Sequence, residues 1–305
     1  MTTTYHIIAN PVSGKGTGKK VLSRILPYLK EKEIDFKLYM TSKRGDAKDF
    51  AKELTLNSDE QNSRKNIVVI GGDGTFSEVL AGVENFDILT LGFIMGGTGD
   101  DFGTHMGLKK DPLKAFDDIL TGNTKYIDFI QLKDSRCLNI CGTGIDVDTL
   151  IRYEKSTRKN KLTYFISLLK SLRKPSYIEY DIYFENEQGE MEKLPIAPCL
   201  VVSVCNGGIF GGGIPISPHS ITNDGYLDLI FSAKPTNNVY VAAMKLKKGK
   251  HLHYPYITHI KTKKVTIQTQ SNKEFTYQID GEMTKGVEFA AEIIPNKLKV
   301  FAAKI

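Results

Sequence analysis

The sequence predicts an α/β domain followed by a mostly antiparallel β domain. Three observations carry the prediction. Over the first 120 or so residues, short β-branched runs alternate with helix-period stretches, which is the signature of βαβ units. After about Tyr126 the chain becomes strand-rich, with turn signals such as Asn186–Gly189 and Asn223–Gly225 between the strands. The chain's 305 residues are enough for two cores. The expected division is 1–127 and 128–305, with the last strand a candidate to pack back toward the first domain.

In chain order, residues 5–10 (YHIIAN) read as a buried strand, and PVSGKGTGKK as a turn into a helix near 17–31. Val21, Leu22, Ile25, Leu26 and Leu29 share one helix face. A second strand is expected at 34–40 and a helix over 46–54, followed by a polar linker NSDEQNSRKN. IVVI (67–70) reads as a buried parallel strand that breaks into GGDG and a helix from Thr75 to about Ala81. ILTLGFIM (88–95) is the next strand, ending in GGTGDDFG, and 112–120 is helical. The second domain is expected to hold strands at 126–132, 136–142, 177–185, 197–205, 226–232, 264–269, 274–279, 287–291 and 297–303. One helical stretch, 159–173, interrupts them.

Composition narrows the class. Hydrophobic residues make up 41% and charged residues 25%, as in a folded soluble protein. Cys137, Cys141, Cys199 and Cys205 form no CxxC pair, and the N-terminus has no secretory leader, so a reduced intracellular protein is expected. No apolar run reaches the roughly 18 residues of a spanning helix. The formal charge of +6 is compatible with ATP, nucleic acid or an anionic bilayer and selects none of them. No nucleic-acid recognition motif is present, and GGDGT lacks the dinucleotide GxGxxG spacing.

Three glycine-bearing loops each follow a predicted parallel strand, at the strand ends where ligands of such sheets bind. In the first, Asn10, Pro11, Ser13, Gly14 and Lys15 are candidates for phosphate contact, although the GxxxxGK[ST] pattern is absent. In the second, Gly71, Gly72 and Gly74 let backbone approach a polyphosphate, and the helix starting near Thr75 aims free N–H groups the same way. Glu78, one turn further, joins this set. Asp73 among the glycines has two readings: it holds Mg²⁺ or takes a proton from the attacking hydroxyl, or it caps a helix. In the third loop Gly97 and Thr98 offer donors, and Asp100 or Asp101 caps the next helix, orients a lysine or holds metal-bound water.

NPVSGKGTGKK, GGDGTFSEVLAGV and GGTGDDFG together resemble the diacylglycerol kinase catalytic-domain family, and most of all its bacterial soluble lipid kinases. NICGTGID (139–146), Asn206-Gly207 with Gly211–Gly213, Asp224–Asp228 (DGYLD), Gly249–His251 with Tyr254-Pro255, and Asp280-Gly281-Glu282 extend the likeness over the whole chain. The resemblance implies a phosphofructokinase-like N-terminal domain joined to a β-sandwich. It also implies ATP and Mg²⁺ as cosubstrates and a lipid hydroxyl, most simply that of diacylglycerol, as acceptor. Asp73, Gly74 and Thr75 match the nucleotide-loop signature, and Asn10 and Thr98 match positions near ATP. Asp280 matches the carboxylate assigned as general base; Asp73 is the second choice, and Glu282 would orient the base or a water. Asp224, the backbone of Tyr226 and Asp228 would form a structural Mg²⁺ site. For both 280–281 and 223–225 a plain hairpin turn is the alternative. The chain departs from the family pattern at Asp100 and Ser77, where Asn is usual.

Residues 152–174 carry eight basic side chains against one acid, Glu154, with Leu162, Phe165, Ile166, Leu169 and Leu172 at helical spacing. Two readings stand. In one, this helix rests on an anionic bilayer; in the other, it packs on the second domain with a solvated basic face. Lys245, Lys247, Lys248 and Lys250 form a second basic cluster. The cysteines read as core, and His105, His251 and His253 as surface or cleft-edge residues. The expectation is thus a cytoplasmic enzyme, peripherally and reversibly membrane-associated. Its oligomeric state, homodimer included, is left open.

Overall fold

The computed structural model describes residues 3–56, 64–195, 197–236, 238–270 and 273–302. The chain forms two compact units. The first is Met1–Ile127 together with Asn296–Ile305, and the second is Asp128–Pro295. The expected polar linker lies largely outside the described residues.

Unit 1 is α/β. Its strands are β1 (Tyr5–Ala9), β2 (Phe36–Met40), β3 (Lys65–Gly71) and β4 (Leu89–Met95). They pair in parallel in the order β2-β1-β3-β4, and Val300 of the last strand pairs with Leu91 beside β4. Helices α1 (Ser13–Glu31), α2 (Asp46–Leu56), α3 (Asp73–Gly82), the short α4 (Asp101–His105) and α5 (Pro112–Leu120) connect them. The apolar run IVVI is buried throughout, as a central parallel strand covered on both faces requires. Val21, Leu22, Ile25 and Leu29 of α1 pack with Ile7, Val68, Ile94, Phe116 and Phe301. Each large side chain buried here contributes about 1.5–3 kcal/mol. Asp111 caps α5 by accepting from Leu113 N and Lys114 N, with Pro112 at the first helical position.

Unit 2 is a β-sandwich. β5 (Thr124–Leu132) enters it, followed by β6 (Arg136–Cys137), β7 (Ile140–Gly144), β8 (Ile178–Glu185), β9 (Met191–Lys193), β10 (Pro198–Cys205) and β11 (Leu227–Ala233). After them come β12 (Ile257–Thr262), β13 (Lys264–Thr269), β14 (Phe275–Ile279), β15 (Glu282–Gly286) and β16 (Glu288–Phe301). One antiparallel run is β12-β11-β10-β7-β14-β15, and another joins β9, β8, β13 and β16. Cys141, Val202, Val204 and Leu229 of the first run meet Tyr180, Ile182, Ile267 and Phe289 of the second in one core.

Several elements differ from expectation. The single strand 136–142 is β6 and β7, broken at Leu138–Asn139. The helix expected at 159–173 is α7 (Lys161–Ser171), whereas α6 (Ile145–Glu154) and α8 (Val239–Lys247) were not foreseen. Asn160 ends the gap between α6 and α7 by accepting from Thr163 N. The two last expected strands are one, β16, which continues through Pro295 at an exposed position. All four cysteines are buried and free. His251 is a correction: it is buried, with Nε2 2.8 Å from the Ile216 carbonyl oxygen.

Candidate functional site

The glycine loops of unit 1 come together at the carboxyl ends of β1, β3 and β4. Asn10 begins the first loop, its N–H bonded to Ile70 O at 2.9 Å. Its Nδ2 donates to Thr75 Oγ1 at 3.1 Å and its Oδ1 accepts from Val12 N at 3.2 Å, so one carboxamide ties the first loop to the second. Gly14, Lys15 and Gly16 then run at φ 54°, 58° and 91° before α1 becomes regular. A side chain on Gly14 would begin 2.6 Å from the Gly96 carbonyl oxygen, so this close approach of the first and third loops excludes one. Ser13 Oγ lies 2.9 Å from both Asn10 O and Gly96 O.

The second and third loops are equally close. A side chain on Gly72 would begin 2.8 Å from Gly97 Cα, and Gly96 N bonds Gly71 O at 2.7 Å. Asp73 opens α3, yet its carboxylate does not cap that helix. It accepts from Asp101 N (3.1 Å) and Phe102 N (3.0 Å), the first amides of α4. Burial pushes the Asp73 carboxyl above its ordinary range, and the two amides only partly offset this. The Asp73 and Asp101 carboxylates both lie 3.3 Å from where a side chain on Gly99 would begin. Asp100 sits at φ 51°, a left-handed position that Asp and Asn tolerate, and accepts from Gly97 N at 2.8 Å. Glu78 accepts from Gly45 N at 3.1 Å. Gly74, Lys15 and Thr98 are exposed, so the convergence is open to solvent. All of the nucleotide candidates named from the sequence lie on these loops or on α3.

The candidate acids of unit 2 have a different setting. Asp280 and Gly281, at φ 48° and 85°, form the two-residue turn between β14 and β15. The turn delivers the Asp280 carboxylate onto the broken strand. Leu138 N donates to Oδ2 at 2.7 Å, while Asn139 N (2.9 Å), Ile140 N (3.2 Å) and Cys137 Sγ (3.1 Å) reach Oδ1. Both readings of Asp-Gly therefore hold at once: it is a hairpin turn, and the turn aims an acid. Glu282 is exposed at the start of β15. Asn206 supports the clamp from beneath, its Nδ2 donating to Leu138 O at 2.8 Å and Asp128 O at 2.9 Å.

Asp224 and Tyr226 lie in the turn before β11, and Asp228 is the second residue of that strand. Asp224 accepts from Tyr226 N at 3.1 Å and pairs with Lys261. Asp228 is buried and bonded to His259 Nε2 at 2.6 Å and Ser220 Oγ at 2.7 Å. Burial alone would raise the Asp228 carboxyl, but His259 and Ser220 hold it below its usual range. Each carboxylate thus has a partner within the protein, and a Mg²⁺ site here would require Lys261 to leave Asp224.

Two acids were missed as sites. Asp128, fully buried, accepts from Gly225 N at 2.8 Å and fixes the 222–226 turn. An acid inside the apolar run YIDFIQL was the available signal, because buried acids are seldom unpaired. Asp146, also buried, accepts from Val147 N at 2.8 Å and faces Gln278 Nε2 at 3.4 Å. Burial raises its pKa to about 6.

Comparison with known proteins finds a family match for two stretches of the chain. Residues 4–132 match the model of the diacylglycerol kinase catalytic domain, and residues 139–302 that of the YegS C-terminal NAD kinase beta sandwich-like domain. A Bacillus subtilis (strain 168) protein named diacylglycerol kinase is 30% identical over 90% of this chain and 88% of its own length. A Citrobacter koseri protein named "Probable lipid kinase YegS-like" is 27% identical over 94% of this chain and 93% of its own. A solved structure from Bacillus anthracis str. Sterne superposes with a TM-score of 0.74 at 26% identity, covering 98% of this chain and 96% of that one.

Proposed function

Because the chain belongs to the diacylglycerol kinase catalytic-domain family, we propose that it transfers the γ-phosphate of ATP to a lipid hydroxyl, with diacylglycerol as acceptor and phosphatidic acid as product. The chain is a kinase. The observation that carries the ATP reading is the mutual approach of the three glycine loops, held by Asn10 to Thr75 and by Ser13 to Gly96. Close-packed backbone without Cβ atoms, beside the start of α3, suits a polyphosphate.

The residues fit a divalent cation at this place, since the Asp73 and Asp101 carboxylates both border Gly99. Mg²⁺, when bound, neutralises phosphate charge. The chain's own contribution is to orient the phosphates with backbone donors and to keep both acids in place through α4. Asp280 is the proposed general base. Its carboxylate is fixed by four donors from 137–140, so its position is set before a hydroxyl arrives.

The lipid acceptor has support from unit 2. Tyr164, Leu168 and Leu172 of the α7 segment enter the core with Ala243 of α8, whereas Leu162 and Ile166 of α7 and Tyr240, Val241 and Met244 of α8 remain exposed. The helical apolar set read from sequence is thus divided, with Leu172 inside and Leu162 and Ile166 outside. Lys247 lies 4.5 Å from the Phe165 ring centroid, adding basic charge to the same region. Exposed apolar side chains among lysines suit reversible contact with an anionic bilayer. No helix among the described residues is long and apolar enough to cross a membrane.

The deciding experiment is transfer of label from [γ-³²P]ATP to a mixed lipid panel with and without Mg²⁺. Labelled phosphatidic acid is expected. Labelling of a different lipid alcohol would move the acceptor, and labelling of none would overturn the lipid reading.

A further inference from the structure

The opposite end of the parallel sheet from the glycine loops opens into a second cavity, of about 340 Å³, within the range of small-ligand sites. β3 and β4 run in register from Lys65 opposite Leu89 to Gly71 opposite Met95. Those six steps, at about 3.3 Å each, separate the cavity from the loops by about 20 Å. Every described lining residue belongs to unit 1.

The lining is cationic and aromatic. Arg64 comes from the start of β3, and Lys297 and Lys299 from the end of β16, more than two hundred residues later. Asp87 is the single acid among the described lining residues, and it pairs with Lys297 Nζ at 2.8 Å. Arg64 forms no ion pair with another described residue, and Lys299 Nζ lies 5.8 Å from the ring centroid of Tyr126. The charge balance of the described lining residues is therefore two positive. Phe86 and Tyr126 provide apolar wall, and Tyr126 is 49% exposed.

We propose that this cavity is a binding site for a phosphomonoester. A phosphomonoester dianion matches the surplus charge, and its oxygens suit a planar guanidinium fork together with an ammonium. The aromatic walls would take the part of the ligand that carries the phosphate. That chemistry is shared by soluble phosphate esters and by a lipid headgroup ending in a phosphomonoester.

The test uses the full chain, phenyl phosphate as soluble probe, and phosphatidylcholine vesicles with and without phosphatidic acid. Calorimetric titration should show saturable phenyl phosphate binding that survives saturating ADP and weakens at least tenfold in the Arg64→Gln/Lys299→Gln double variant. An unchanged melting temperature of that variant would establish that the fold is intact. If phenyl phosphate fails to bind but phosphatidic acid vesicles bind wild type at least tenfold better than the variant, the site stands and its ligand is the lipid headgroup. Binding that ADP abolishes, equal binding by wild type and variant, or no binding of either probe would overturn it. Its failure would leave the kinase reading untouched, because label transfer is measured separately.

Discussion

The glycine loops of unit 1 and the Asp280 clamp of unit 2 use the same material, backbone N–H groups, to opposite ends. In the clamp, Leu138, Asn139 and Ile140 direct three amides at an anion that the chain itself supplies. In the loops, the chain's carboxylates occupy defined places on α4 and on Gly97, while Gly74 and Thr98 stay exposed. One region is an anion site already filled; the other is, on the proposed reading, a surface for an anion that comes and goes. The contrast teaches that a glycine-rich turn and a broken strand can be equally polar and yet serve binding in one case and pre-positioning in the other.

The sharpest way to break this comparison is Asp280→Asn. Asn tolerates the left-handed turn, so the hairpin should persist while the proton acceptor is lost. Label transfer should fall about a thousandfold, equivalent to about 4 kcal/mol, with ATP affinity unchanged. Turnover near wild type would remove Asp280 from the base role.

Asp146 extends the comparison to a carboxylate with too few donors. Its folded pKa of about 6 lies above its ordinary 3.8, so the folded state binds the proton more tightly. Its contribution to stability is therefore full below about pH 4 and is lost as pH rises through 6, costing roughly 3 kcal/mol at neutral pH. Asp146→Asn should raise the urea midpoint at pH 8 and leave it nearly unchanged at pH 4. Equal shifts at both pH values would show that burial does not perturb this acid.

Gly14→Ala probes the other side. The added methyl meets Gly96 O at 2.6 Å in a left-handed backbone, which should cost about 1–3 kcal/mol of stability. ATP affinity should drop about tenfold, with transfer per bound ATP less affected. An unchanged Kd for ATP would separate the first loop from the nucleotide.

The smallest expected effect is that of Cys137→Ala. It deletes one weak S–H donor to Asp280 and leaves the three amides. A loss of a few-fold in kcat at constant KM is expected, with about 1 kcal/mol of stability lost to the small cavity. A thousandfold loss would show that the amides alone do not position the acid.

Much of this was legible in sequence because it is local. IVVI followed by GGDG specifies a buried parallel strand and a tight exit, and both are present. Asp-Gly at 280–281 specifies a two-residue hairpin on its own. What was not legible depended on partners far along the chain. Nothing near Asp73 indicates that its carboxylate caps a helix starting 28 residues later. Nothing near Cys137 indicates Asp280, 143 residues away. The break in the strand at Leu138–Asn139 exists because those amides turn to the carboxylate instead of to a neighbouring strand, so apolar periodicity could not reveal it. The α7 face was left open between two readings for a related reason: periodicity identifies apolar residues on a helix, but the neighbouring elements decide which of them are covered.

β16 has a consequence for synthesis. Its residues to Pro295 belong to unit 2, whereas those from Asn296 belong to unit 1. Unit 1 therefore lacks one of its strands until the whole of unit 2 has been made. Phe301, which packs against α1 and α5 residues, is added only after that. A nascent chain stalled just before residue 296 would carry the sandwich strands of unit 2 and an unfinished α/β unit, with the flank of Leu91 awaiting its neighbour.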